Sequence, residues 1–138
     1  MEIKKILFIC TGNSVRSQMA EAFTNLLYKV KVEAFSGGTK PSTVNPYTIQ
    51  VMKEIGIDIS NKRSKSIIEF YGKKFDLVIT LCDNARKECP FFPGAINLIH
   101  KSFEDPTSIT GTEEEKLNKF RKLRDQVKSW LIEYFQNI

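Results

Sequence analysis

The stretch that decides the fold is KKILFICTGNSVRS, residues 4–17. It contains four consecutive apolar residues, Ile6 to Ile9, which predict a short strand buried within a sheet. At Cys10 the apolar run gives way to polar, turn-forming residues, so the strand should end there. Apolar side chains then recur at helical spacing from about Arg16 to Tyr28 and predict a helix. A cysteine therefore stands where a buried strand passes through a short loop into a helix.

The same alternation of strands and helices continues along the chain. Further predicted elements are a strand at 30–36 that stops at Gly37-Gly38, a helix between Asn45 and Gly56, strands at 75–81 and 95–99, and a long helix from Thr112 to about Phe135. Strands that alternate with helices favour a parallel sheet with right-handed crossovers. We therefore predict an α/β fold of the flavodoxin-like or Rossmann-like type: a four-stranded parallel sheet flanked by helices, in a single domain over residues 1–138.

Length, composition and charge limit the classes of function. The 138 residues, 41% hydrophobic and 27% charged, are typical of one globular domain. No apolar run is long enough for a membrane span and the first residues do not form a secretory signal, so we expect a cytoplasmic protein with no membrane partner. The net charge of +5 comes from 21 basic and 16 acidic residues. Because the basic residues are scattered, they favour attraction of a small anion over nucleic-acid binding.

The chain has three cysteines, Cys10, Cys82 and Cys89, and one histidine, His100. An odd number of cysteines without a secretory signal argues against a disulfide framework and for reduced thiols that take part in chemistry. A zinc site is not expected, because Cys82, Cys89 and His100 lack the paired spacing of zinc ligands. With a single histidine, a nucleophile in this chain must be activated mainly by other means.

The segment from Cys10 to Ser17 has the properties of an anion-binding loop. A loop at a helix N-terminus can direct several backbone N–H groups at one anion, and Arg16 adds a planar fork for two oxygens. The same positive field stabilises the thiolate of Cys10, and Ser17 is placed to donate a hydrogen bond to it. The predicted substrate-binding residues are Thr11, Gly12, Asn13, Ser14, Val15, Arg16 and Ser17. A buried structural thiol beside a surface arginine is the other interpretation of this spacing.

Three predicted strands are followed closely by polar or reactive residues. Cys10 follows the first strand, Cys82 the third, and the run to Asp105 the fourth. The carboxyl ends of parallel strands lie at one edge of a sheet, where ligands of such folds bind. We therefore expect these three segments to form one site.

Several segments resemble one known family. Residues 8–21 (FICTGNSVRSQMAE), 44–46 (VNP) and 56–60 (GIDIS) are similar to the signatures of the low-molecular-weight protein tyrosine phosphatase superfamily. The resemblance extends over nearly the whole chain and implies the same four-stranded fold. It also implies that Cys10 is the nucleophile and that Asp105, in an Asp-Pro pair, is the general acid. A plain Asp-Pro turn is the alternative interpretation of that pair.

Residues 80–90 (TLCDNARKECP) resemble the redox segment of the thioredoxin-coupled arsenate reductases within this superfamily. That resemblance implies three catalytic thiols: Cys10 attacks arsenate, Cys82 attacks the Cys10 adduct, and Cys89 resolves the resulting disulfide. It implies that electrons come from reduced thioredoxin, that no cofactor is bound, and that phosphate or sulfate competes with arsenate. We also expect a monomer.

Two other functions fit the same residues. One is a phosphatase for phosphotyrosine or a small phosphoester that uses Cys10, Arg16 and Asp105, although Thr107 stands where such phosphatases typically have a tyrosine. The other is a noncatalytic sensor of anions or of thiol state. Thiol consumption per turnover separates the reductase from the phosphatase, and any turnover at all excludes the sensor.

The spacing of Cys82 and Cys89 has a structural consequence. In a helix their Cα atoms would lie about 10.5 Å apart, beyond the roughly 7 Å limit for a disulfide. A helical segment between them must therefore unwind when they oxidise. Unwinding would expose the disulfide to an external dithiol such as thioredoxin.

Two positions depart from the pattern of related reductases. Val15 stands where many relatives have a further cysteine, and we predict that activity survives this loss. Lys65 stands where some relatives have an aspartate that, with residues matching Asn13, Glu21 and Ser36, surrounds a potassium ion. An ammonium group there would repel or replace the metal, so we predict no metal site and no stimulation by potassium.

Overall fold

Across residues 4–136, which the computed structural model describes, four parallel strands form one sheet. The strands are β1 (Lys5–Cys10), β2 (Glu33–Gly38), β3 (Phe75–Thr80) and β4 (Ala95–His100), in the spatial order β2-β1-β3-β4. The helices are α1 (Arg16–Leu27), α2 (Pro46–Lys53), α3 (Asp83–Glu88) and α4 (Glu113–Gln136), and two 3-10 turns span Ile67–Phe70 and Pro106–Ser108. None of the helices in this described range is long and apolar enough to cross a membrane. The predicted α/β fold, a parallel sheet flanked by helices, is confirmed.

The inner strand β1 brings Cys10 to the edge of the sheet. It lies between β2 and β3, and the side chains from Ile6 to Ile9 are each 0% exposed. This burial on both faces explains why the strand is a continuous apolar run. β1 ends at Cys10, which is in register with Gly38 at the end of β2.

A strand boundary predicted from the sequence was wrong. β2 begins at Glu33 rather than at Val30, and it continues through Gly37 and Gly38. Residues 29–31 form a turn after α1, and Val30 is 92% exposed, so its β-branched side chain has no packing that would hold it in the sheet. Glycine is suited to this end of the strand because other backbone segments approach it closely. The loop after β1, for example, passes next to Gly38.

A partly buried ion pair joins α4 to the end of α2. Arg124 Nη1 donates hydrogen bonds to the Val51 carbonyl at 2.9 Å and to Glu54 Oε1 at 3.0 Å. Arg121 Nη2 lies 2.7 Å from the other oxygen of Glu54. Hydrogen bonds from Arg121, and then from Arg124, hold the pKa of Glu54 below its usual range even though burial raises it. Glu54 is therefore the counter-ion of both guanidinium groups.

We expect Glu54→Gln to lower the free energy of unfolding at neutral pH by about 1 kcal/mol, a typical value for a partly exposed ion pair. Because the folded pKa of Glu54 is depressed, its contribution is fully present above the unfolded value of 4.5 and is lost as the pH falls through the folded value. The difference in free energy of unfolding between the wild type and Glu54→Gln should therefore become smaller below about pH 5, as measured by urea unfolding. Glu114→Gln is the matched control, since Glu114 pairs with Arg121 but is 69% exposed. A deficit that does not change with pH would contradict this account.

Candidate active site

Cys10 lies at the centre of the candidate site, at the carboxyl end of β1. The residue is 1% exposed, and its Sγ lies 2.8 Å from the hydroxyl oxygen of Ser17, in the first turn of α1. Asn13 Nδ2 donates a 2.7 Å hydrogen bond to the same hydroxyl oxygen. Because Asn13 donates to that oxygen, the Ser17 hydroxyl hydrogen is free to be directed at Cys10 Sγ. In that orientation the hydroxyl can donate a hydrogen bond to a thiolate at Cys10.

Asn13 keeps this orientation because its amide oxygen is itself engaged. Gln18 Nε2 and the backbone N–H of Lys65 donate to Asn13 Oδ1 at 3.0 and 2.8 Å. The amide nitrogen therefore faces Ser17. The backbone φ of Asn13 is 47°, in the left-handed region that asparagine tolerates better than most residues. Asn13 thus both turns the loop and orients Ser17.

The segment after β2 holds the carbonyl groups of the loop from outside. The backbone N–H groups of Thr39, Lys40 and Ser42 donate to the carbonyl oxygens of the first three loop residues, at 3.2, 2.9 and 3.1 Å. In a trans peptide the N–H points away from the C=O, so these contacts turn the loop N–H groups toward its inner side. Inward N–H groups at a helix N-terminus can bind a tetrahedral oxyanion.

Arg16 begins α1 and closes one side of the loop. Its Nη1 donates to the Phe103 carbonyl at 3.2 Å, and its Nη2 lies 3.9 Å from Asp105 Oδ2. The side chain is 11% exposed, and its Nε is buried without a hydrogen-bond partner among the described residues. An oxyanion in the loop would supply the partner that a buried donor needs.

The two carboxylate oxygens of Asp105, on the loop after β4, have different surroundings. Oδ1 accepts hydrogen bonds from the Thr107 N–H at 2.9 Å and from the Thr107 hydroxyl at 2.7 Å. Oδ2 faces Arg16 instead. Of the two oxygens, Oδ2 is therefore the one on the side of Arg16 and the cleft.

Cys82 lies against the anion loop. Its Sγ is 3.3 Å from Thr11 Oγ1, and it accepts a 3.4 Å hydrogen bond from the Ala85 N–H as the N-cap of α3. The residue is 5% exposed. A second thiol therefore stands beside the residue that follows Cys10.

Cys89 lies at the other end of α3, where it is the C-cap. Its Sγ donates a weak 3.6 Å hydrogen bond to the Phe91 carbonyl. Burial raises the pKa of the Cys89 thiol, so it is protonated at neutral pH. All three cysteines are free thiols, and the structure is thus the reduced form with α3 folded between Cys82 and Cys89.

A cavity of about 440 Å³ opens at this edge of the sheet. Its lining comes from the anion loop, the start of α3 and the loop after β4: Thr11, Arg16, Cys82, Asp83, Asn84, Ser102, Phe103, Glu104 and Asp105. The three segments that the sequence places after strands one, three and four therefore do meet at one cleft.

His100 belongs to this edge as well, although its spacing in the sequence indicates only that a zinc site is not expected. Its Nδ1 lies 2.8 Å from Thr80 Oγ1 and its Nε2 lies 3.0 Å from Asp83 Oδ1. Residues 4–136 contain no group of three or more His, Cys, Asp or Glu side chains that could hold a metal ion. Its place at the carboxyl end of β4 is the signal that could have linked it to the segment after β3.

A family model for low molecular weight phosphotyrosine protein phosphatases matches residues 5–138. The chain belongs to this family. Among its relatives in the family, the arsenate reductase of Halalkalibacterium halodurans is 43% identical over 127 residues, which is 92% of this chain and 91% of the relative. The arsenate reductase of Bacillus subtilis is 42% identical over 134 residues, or 97% of this chain and 96% of the relative.

Solved structures similar to this phosphatase-family chain have the same fold. An arsenate reductase in the phosphate binding state superposes with a TM-score of 0.83 at 35% identity and covers 99% of both chains. A low molecular weight protein tyrosine phosphatase from T. tengcongensis superposes with a TM-score of 0.76 at 25% identity, covering 98% of this chain and 99% of that one. The fold implied by the sequence resemblance is therefore confirmed.

In this member of the phosphatase family, Lys65 extends its ammonium group into a polar cluster beside the anion loop. Its Nζ lies 3.7 Å from Glu21 Oε1, 3.4 Å from Ser36 Oγ and 3.3 Å from the Arg63 carbonyl. Burial lowers the pKa of Lys65, and the neighbouring Glu21 carboxylate opposes this effect. The ammonium therefore lies within hydrogen-bonding or ion-pair distance of Glu21 and Ser36, two of the residues that the sequence resemblance matches to a potassium site.

Proposed function

We propose that the protein is an arsenate reductase that converts arsenate to arsenite with Cys10, Cys82 and Cys89 and is regenerated by reduced thioredoxin. The observation that carries the proposal is the position of Cys82, whose Sγ lies 3.3 Å from Thr11 Oγ1 in the anion loop next to Cys10. The arsenate reductases at 43% and 42% identity support the choice of substrate. Such an enzyme would act as a monomer in the cytoplasm and serve arsenic detoxification.

In the first step, arsenate binds with its oxygens toward the loop N–H groups and the Arg16 guanidinium. The Cys10 thiolate, which Ser17 stabilises, attacks arsenic, so that a sulfur–arsenic bond forms and one arsenic–oxygen bond breaks. Asp105 gives the proton on Oδ2 to the departing oxygen, which leaves as water. The loop N–H groups and Arg16 stabilise the negative charge throughout this step because they are already oriented toward it.

The electrons are transferred in the second step, when Cys82 attacks the sulfur of the Cys10 adduct. A disulfide bond forms between the two cysteines, the sulfur–arsenic bond breaks, and its electron pair stays on arsenic. Arsenic is thereby reduced from As(V) to As(III), two thiolates become one disulfide, and arsenite leaves after taking up protons from water. The Thr11 hydroxyl is placed to donate a hydrogen bond to the Cys82 thiolate before it attacks.

In the third step, Cys89 attacks Cys82 Sγ, the Cys82–Cys89 disulfide forms, and Cys10 leaves as a thiolate. Because the helical separation of about 10.5 Å exceeds the roughly 7 Å that a disulfide allows, α3 must first unwind. The buried Cys89 thiol, whose pKa is raised, stays protonated until opening exposes it to water, which takes its proton. A thioredoxin dithiol then reduces the exposed disulfide.

Arsenate-dependent oxidation of NADPH in the presence of thioredoxin and thioredoxin reductase tests this proposal. We expect one NADPH to be consumed for each arsenite formed, and turnover to stop after one arsenite per protein when thioredoxin is omitted. Glutathione with glutaredoxin replaces thioredoxin as the control for the electron donor. No arsenite with either donor, together with steady hydrolysis of an aryl phosphate, would identify a phosphatase instead.

A phosphatase is the second candidate, and the family model favours it. Its first step would use the same nucleophile, arginine and acid: Cys10, Arg16 and Asp105. The residue after the Asp-Pro pair is Thr107, whose hydroxyl bonds to Asp105 and which offers no ring to pack against an aryl group. We therefore propose that hydrolysis of phosphate esters accompanies arsenate reduction as a slow side activity.

Potassium is expected to leave the rate of arsenate reduction unchanged. The Lys65 ammonium already supplies a positive charge 3.7 Å from Glu21 and would repel a second cation there. Initial rates measured in potassium chloride and in sodium chloride of equal ionic strength test this expectation. A several-fold rate increase in potassium would contradict it.

A further inference from the structure

His100 links the redox helix to the sheet. We propose that it is a positioning residue which holds Asp83, the first residue of α3, and so sets how readily α3 opens to let Cys89 reach Cys82. The role in opening is a property of the reduced protein, and its use in catalysis rests on the proposed relay. The structural basis is one imidazole ring whose two nitrogens contact different elements.

The contacts define which atoms donate. The Asp83 carboxylate oxygen can only accept, so His100 Nε2, 3.0 Å away, carries a hydrogen. In the neutral ring, Nδ1 then accepts from the Thr80 hydroxyl at 2.8 Å. In the cationic ring, Nδ1 donates to Thr80, whose hydroxyl hydrogen can turn to the Ile99 carbonyl at 3.4 Å. The bond to Asp83 is therefore kept in both forms of the ring.

The anchor of this link is buried, whereas its far end is exposed. Thr80 is 2% exposed on β3, and the His100 side chain is 18% exposed at the end of β4. Asp83 is 74% exposed and belongs to a helix of only six residues. A helix of this length is unstable by itself, so contacts to the rest of the protein decide whether it stays folded.

The proposed chemistry removes one of those contacts. Cys82 Sγ caps α3 by accepting from the Ala85 N–H at 3.4 Å. When Cys82 bonds to Cys10, its sulfur must turn toward Cys10 and can no longer cap the helix. The bond from His100 to Asp83 then still holds the start of α3, and its loss would let the segment extend more readily, so that Cys89 can reach Cys82.

Amide hydrogen exchange of residues 83–89 in the reduced protein tests the link directly. Asp83→Ala and His100→Phe should each speed exchange in this segment by about two- to fivefold, the range expected for a partly exposed pair. The double variant should exchange no faster than either single one, because both remove the same bond. Unchanged exchange in the single variants, or effects that multiply in the double variant, would overturn the proposal.

Two controls separate the link from other effects of these substitutions. Exchange in α1 should match the wild type, which shows that global stability is unaltered. Asp83→Asn keeps an oxygen that accepts from His100, so it should retain most of the protection, and exchange as fast as in Asp83→Ala would overturn the proposal.

The disulfide between Cys82 and Cys89 should form faster after one addition of arsenate in those variants whose amide exchange in residues 83–89 is faster. If arsenate yields no disulfide, the proposed function fails while exchange still decides the role of His100.

Discussion

Cys89→Ser should release one arsenite per protein molecule and then stop, even with reduced thioredoxin in excess. Cys10 and Cys82 can still form their disulfide and expel arsenite, but a serine hydroxyl cannot resolve that disulfide. Steady-state arsenate reduction should therefore fall by about 10³-fold or more, as when another catalytic nucleophile is removed. Rapid quenching with quantification of arsenite, and mass spectrometry of the Cys10–Cys82 pair, measure this outcome.

Cys82→Ser should fail one step earlier and release no arsenite. Serine is a good N-cap, so α3 should keep its start, and the loss can be assigned to the missing thiol. Both serine variants should hydrolyse an aryl phosphate at rates close to the wild type, because Cys10, Arg16 and Asp105 are unchanged. Repeated turnover of arsenate by either variant would refute the three-thiol relay.

Gly38→Ala is expected to disrupt the anion loop although Gly38 lies on a different strand. A Cβ at this position would lie 2.5 Å from the Thr11 carbonyl oxygen and 2.9 Å from the Asn13 backbone nitrogen. The Thr11 carbonyl cannot retreat freely, since it accepts a 2.9 Å hydrogen bond from the Lys40 N–H. Overpacking of this kind costs about 1–3 kcal/mol of stability, and a shift of about 1 Å in positioning groups costs about 10²-fold in rate.

Urea unfolding and kcat/KM for both arsenate and an aryl phosphate measure these two effects of Gly38→Ala. Gly56→Ala is the matched control, because Gly56 has a φ of 83° but no atom within 4 Å of the added Cβ. It should lose about 1 kcal/mol from backbone strain and leave kcat/KM unchanged. Normal kcat/KM in Gly38→Ala would show that the loop does not depend on this close approach.

The elements that carry the site could be predicted because their signals are local. The apolar run from Ile6 to Ile9, the turn-forming residues after Cys10 and the helical spacing after Arg16 each depend on neighbours within a few residues. Because the carboxyl ends of parallel strands lie at one edge of a sheet, the segments after β1, β3 and β4 can be placed together without further information. The start of β2 was misplaced because Val30 has strand propensity but, in the fold, nothing to pack against.

The sequence by itself therefore determined the order of the four strands and of α1, α2 and α4, the loop after Cys10 and the three thiols with their spacing, whereas α3 was predicted only conditionally, as a helix between Cys82 and Cys89. The tertiary structure decided how the side chains at the site are oriented: which Asp105 oxygen faces Arg16, which way the Asn13 amide points, and that His100 reaches Asp83. The physical reason is that these orientations depend on hydrogen bonds between distant segments, such as the bond over 87 residues from Arg16 to the Phe103 carbonyl. Local periodicity contains no information about such contacts, which exist only once the chain has packed.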